Sequence, residues 1–123
     1  MSRPLITQID SLKEFQELAG LQNPGAFVVK FGAEWCGPCK KIEPLVAECM
    51  SKMPDNVQCA VIDVDEAFDV YAFFKNKRII NGIPVIFAYY RGNSNYVPDH
   101  VVVGSDPNQV VQFFTQVVKH VTT

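Results

Sequence analysis

The chain has 123 residues, which suits one domain spanning residues 1–123 and leaves no room for a second with its own core. Hydrophobic residues make up 48% of it, so a packed core is feasible, and a formal charge of −2 gives no basic face for nucleic acid or an anionic membrane surface.

In chain order, residues 1–8 lack the long apolar stretch of a signal peptide. No run elsewhere is long enough to span a bilayer. These features predict a soluble protein of the cytoplasm. In that reducing compartment four cysteines are expected as metal ligands, catalytic thiols or core residues, not as a disulfide framework.

Residues 4–9 read as a short edge strand. Ser11 and Glu14 then fit a capping box, and Leu12, Phe15 and Leu18 follow at helical spacing. Asn23-Pro24-Gly25 is expected to end that helix. Residues 26–31 read as a strand buried on both faces and interrupted by Lys30. Past Trp35 the period changes. Ile42, Leu45, Val46, Cys49, Met50 and Met53 share one helical face, and Pro44 lies inside that helix. Residues 57–64 are strand-like, and residues 67–77 are predicted helical, with Phe68, Tyr71, Phe73 and Phe74. Residues 85–90 form a strong strand, joined through a turn at 91–95 to a second near 100–103. Asp106-Pro107 opens a last helix with an apolar stripe from Val110 to Val121. This alternation predicts an α/β fold, a central mixed sheet with helices on both faces.

The segment Trp35-Cys36-Gly37-Pro38-Cys39-Lys40 falls where a buried strand gives way to a helix. Cys36 at the helix N-terminus would have its thiolate stabilised by unpaired backbone N–H groups and the positive end of the dipole. The thiolate is the attacking species in disulfide exchange. Cys39, one turn on, can reach Cys36 to close a small ring. Pro38 lacks an N–H and stiffens the turn. A zinc site completed by Cys49 and Cys59 is the metal alternative, but those two are not spaced as a second C-x-x-C pair. Both fit better as small core residues. His100 and His120 lack any partner pattern, and Asp63 and Asp65 look like strand-end or helix-cap residues.

The sequence resembles the thioredoxin family. The likeness runs from Phe31 through Trp35-Cys36-Gly37-Pro38-Cys39-Lys40 to Pro44, and resumes at Val61-Ile62-Asp63-Val64-Asp65, Gly82-Ile83-Pro84 and Val103-Gly104. It implies the thioredoxin fold and a thiol-disulfide oxidoreductase that reduces protein disulfides through a Cys36/Cys39 dithiol–disulfide cycle. The Ile83–Pro84 bond is then expected to be cis and to face the cysteines. Trp35, Gly82, Ile83, Pro84 and Gly104 are expected to line a substrate groove. Gly37, Pro38 and Lys40 are expected to support the active site. No bound cofactor is expected; reducing equivalents would come from NADPH through a thioredoxin reductase. The partners would be that reductase and disulfide-containing proteins, with the chain acting as a monomer. Two other readings share the fold: a binding module or subunit that uses the groove without turnover, and a disulfide isomerase or oxidase.

One position departs from the family pattern. A buried aspartate is usual six residues before the first active cysteine, and this chain has Lys30 there. Strand alternation offers Asp63 as a partner for it. The alternatives are a neutral buried amine that serves as a base and a side chain that snorkels to solvent.

Overall fold

The computed structural model describes residues 2–123. Its elements are α1 (Leu12–Ala19), β1 (Ala26–Gly32), α2 (Gly37–Ser51), β2 (Val57–Asp63), α3 (Phe68–Asn76), β3 (Val85–Tyr90), β4 (His100–Val103) and α4 (Pro107–Thr122). The sheet order is β2-β1-β3-β4. β1 and β2 run parallel across the α2 crossover, whereas β1–β3 and β3–β4 are antiparallel. Among the described residues no helix is long and apolar enough to cross a membrane.

Side-chain alternation along β1 feeds two cores. Phe27, Val29 and Phe31 point to one face, where Phe15 of α1 and Val70 and Phe74 of α3 cover them. Ala26 and Val28 point to the other, under Ile42, Val46 and Met50 of α2 and Val110, Phe114 and Val117 of α4. A central strand buried on both faces must be apolar nearly throughout, and Lys30 is the exception in β1.

Several boundaries differ from the sequence expectation. The edge strand over residues 4–9 reduces to one parallel bridge, Ile6 with Ala60. Pro4 has no N–H to give a ladder, and its carbonyl instead accepts from the Gln58 side chain. α1 stops at Ala19, before Asn23-Pro24-Gly25. The buried Asn23 side chain reaches back to donate to the Ala19 carbonyl at 3.0 Å and across to the Tyr89 carbonyl at 2.9 Å. At its start the capping box is present: Ser11 Oγ accepts from Glu14 N–H at 3.1 Å. The Glu14 carboxylate accepts from Asp10 N–H, one residue ahead of the cap. Phe68 is exposed at the first turn of α3, whereas Phe74 is buried.

Candidate active site

The C-terminal end of β1 delivers the chain into the Trp35–Cys39 segment. Cys36 is the N-cap of α2, with extended backbone angles, and Pro38 occupies the first turn, where its missing N–H costs nothing. Cys36 and Cys39 are joined as a disulfide with Cα atoms 5.3 Å apart. Cys36 Sγ accepts from the Cys39 backbone N–H at 3.2 Å. That is the donor a thiolate at this position would use. Both cysteines are largely covered, 5% and 3% exposed, while Gly37 and Pro38 between them are exposed.

The loop before β3 meets the pair from the other side. The Ile83–Pro84 bond is cis, and Cys36 Sγ lies 3.9 Å from the Ile83 carbonyl oxygen. Gly104 donates its N–H to the Pro84 carbonyl at 2.9 Å, which fastens the end of β4 to the same spot. Gly104 has a φ of 93°, in the region that favours glycine, and a Cβ on Gly82 or Gly104 would meet nothing within 4 Å. The two glycines therefore leave open space on either side of Pro84. Trp35 is 68% exposed, and its indole N–H donates to Asp65 Oδ2 at 2.9 Å. Asp65 was readable only as half of a carboxylate pair at a strand end; its tie to Trp35 depends on a contact 30 residues away.

Lys30 lies on the α2 side of β1 opposite Val61. Neither pairing with Asp63 nor snorkelling describes it. The residue is 3% exposed, and its amine donates to the Cys39 carbonyl oxygen at 3.4 Å. Among the described residues no carboxylate lies within 4 Å of that amine. Asp63 Oδ1 is instead engaged by the Asp65 backbone N–H at 2.8 Å, in the turn that leads into α3. Burial pushes the Lys30 amine below the usual lysine range, and the carboxylate of Glu43 partly opposes that. Glu43 stands four residues after Cys39, on the same side of α2. That helical spacing was the signal available for it in the sequence. Lys40 is exposed and lies 3.9 Å from the Glu34 carboxylate.

The remaining cysteines lie elsewhere. Cys49 is half-buried on α2, and Cys59 is buried in β2, where burial pushes its thiol up to about 12. Among the described residues no cluster of three or more His, Cys, Asp or Glu could hold a metal ion. The arrangement is a dithiol pair, one sulfur facing a carbonyl-lined shelf and the other facing the interior, suited to thiol–disulfide exchange.

Comparison with known proteins agrees. The Thioredoxin family model matches residues 7–116. The thioredoxin of Mycoplasma pneumoniae is 34% identical over 113 residues, covering 91% of this chain and all of that protein. Among solved structures, Malassezia sympodialis thioredoxin superimposes with a TM-score of 0.73 at 28% identity, covering 96% of each chain. Plasmodium falciparum thioredoxin gives 0.71 at 27% identity over 90% of this chain and 97% of that one.

Proposed function

The chain belongs to the thioredoxin family, and from that premise we propose how its residues divide the work of protein-disulfide reduction. The protein is a thiol-disulfide oxidoreductase. In its dithiol form the Cys36 thiolate, steadied by the Cys39 N–H, attacks one sulfur of a substrate disulfide. A mixed disulfide forms and the other substrate sulfur leaves as a thiolate. Cys39 then loses its proton and attacks Cys36 Sγ. The Cys36–Cys39 bond closes, the substrate departs as a dithiol, and two electrons have passed from protein to substrate.

The shelf beside the cysteines suits an extended peptide. Ile83 can pair its backbone with the substrate in the manner of an added strand. Gly82 and Gly104 keep the approach free of side chains, Pro84 gives the shelf its shape, and Trp35 forms an apolar wall. Gly37 and Pro38 hold the turn that sets the two sulfurs, and Lys40 adds positive potential near Cys36. On this reading the dithiol is restored by a flavin-dependent thioredoxin reductase that draws on NADPH. The protein works as a monomer in the cytoplasm on disulfide-containing proteins.

The observation that carries the proposal is Cys36 Sγ at the α2 N-terminus, 3.2 Å from the Cys39 nitrogen and 3.9 Å from the Ile83 carbonyl beside Pro84. The test is dithiol-driven reduction of insulin followed by turbidity. Wild type should precipitate insulin far faster than dithiol alone, and Cys36→Ser should abolish that gain. Wild type no faster than dithiol alone would sink the general reductase reading and favour a binding module.

A further inference from the structure

Lys30 is a buried basic group set among apolar neighbours. Its neighbours in the sheet are Val61 on β2 and Ile86 on β3, neither able to pair with a charge. Its one acceptor is the Cys39 carbonyl at 3.4 Å, long for an N–H···O bond and one partner for an ammonium with three donors. A buried amine so poorly satisfied is costly.

What the position does offer is access to Cys39. Lys30 Cε and Cys39 Sγ lie 3.8 and 3.5 Å from the point where a Cβ on Gly32 would stand. Gly32 has no such atom, so no side chain at that position stands between the amine arm and the sulfur. Both residues border one cleft of about 580 Å³ that opens to solvent. The charged groups facing it are Glu43 and Lys40 from α2, Glu34 just before α2, and Asp63 and Glu66 at the end of β2. Glu43 acts on Lys30 directly. Lys40 and Glu34 are paired with each other, and Asp63 is held by Asp65 N–H.

We propose that Lys30 is the proton partner of Cys39: the buried amine and the resolving thiol share one proton, and the ammonium–thiolate form is the species that attacks Cys36. The proposal rests on the reading that Cys39 resolves the mixed disulfide. In that intermediate the neutral amine takes the Cys39 thiol proton. The thiolate attacks Cys36 Sγ; the Cys36–Cys39 bond forms and the bond from Cys36 to the substrate sulfur breaks. The substrate thiolate takes a proton from water, and the Lys30 ammonium releases its own through the cleft. Two such coupled groups titrate as a pair. Burial lowers the basicity of the amine, which favours its proton-accepting form relative to an exposed lysine, and the Glu43 carboxylate opposes that in part.

The test has two parts. Cys39 is titrated through its Cβ NMR shift in Cys36→Ser, alone and combined with Lys30→Met, Lys30→Gln or Lys30→Arg. Loss of the basic nitrogen in Met or Gln should lower the Cys39 thiolate fraction at neutral pH about tenfold to a thousandfold, the effect of removing one close positive charge. Arg should keep much of it. Release of substrate thiol from the mixed disulfide, followed by stopped flow with Cys36 intact, should slow in Lys30→Met by less than the thiolate fraction falls, about three- to thirtyfold, because the more basic thiolate is also the better nucleophile and offsets part of the loss. That deficit should fade at alkaline pH, and the initial attack by Cys36 should keep its rate. A folded Lys30→Met or Lys30→Gln with an unchanged Cys39 titration overturns the proposal while leaving the reductase intact. A wild type that never releases substrate thiol overturns the resolving role itself.

Discussion

An amine held inside a sheet draws on stability in a way that depends on pH. In the unfolded chain Lys30 titrates near the ordinary 10.5, and in the fold burial lowers it. Between the two values the unfolded chain binds more protons, so stability climbs with pH there. Below the folded value the penalty is complete, and above 10.5 it is gone. Lys30→Met removes the group and keeps a straight apolar chain. It should therefore raise Tm at neutral pH, by the equivalent of about 1–3 kcal/mol for a poorly bonded buried polar group. The gap from wild type should narrow as pH rises toward 10.5, which thermal melts at a series of pH values would show. A variant that is more stable yet slower to resolve its mixed disulfide is the expected signature of a residue kept for chemistry. The Trp35–Lys40 segment and Gly82-Ile83-Pro84 were legible in the sequence because each is a short contiguous string. The housing of Lys30 was not. Alternation correctly set Asp63 on the Lys30 side of the sheet, but the Asp63 carboxylate turns to its own loop, a choice made by the Asp65 N–H.

Asn23 shows the same limit for whole elements. In the sequence, Asn23-Pro24-Gly25 reads as a turn that stops a helix. In the fold the Asn23 side chain is a buried clasp. It donates to Ala19 at the end of α1 and to Tyr89 near the end of β3, and its oxygen accepts from Gly25 N–H at 3.0 Å. α1 is only eight residues long, too short to persist without tertiary support, so its last turn depends on this clasp. Asn23→Ala leaves the Tyr89 carbonyl and the Gly25 N–H without these partners and should cost about 1–3 kcal/mol. Chemical denaturation would measure that loss, and amide exchange should quicken in α1 before it does in β1. An unchanged midpoint would show that the three bonds are replaced without cost. The apolar pattern located every helix and the four strands of the sheet, as stripes on α1, α2 and α4 and as continuous runs in β1 and β3, which are buried throughout. It overextended the N-terminal segment because a strand also needs donors along its edge, and Pro4 supplies none.

The two cores lie on opposite faces of one sheet and have β1 in common. Phe27, Val29 and Phe31 serve the α1/α3 side, while Ala26 and Val28 serve the α2/α4 side. Neither layer can lose its packing without uncovering half of β1, so the molecule should unfold as one unit. The active site straddles that unity: Cys36 and Cys39 ride on α2, whereas Pro84 sits at the head of β3. Phe74→Ala empties a position in the first core and Phe114→Ala one in the second. Each should cost about 3–5 kcal/mol, the usual range for a buried Phe truncated to Ala. The single tryptophan, Trp35, reports the active-site end by fluorescence, and far-ultraviolet circular dichroism reports the helices of both layers. For wild type and both variants the two signals should follow one transition with a common midpoint. Were Phe114→Ala to release α2 and α4 while circular dichroism still reported an intact α1/α3 layer, the coupling through β1 would be too weak to hold the catalytic geometry. The alignment of Cys36 with Ile83 would then have to be assigned to the local turn and the Gly104–Pro84 bond alone.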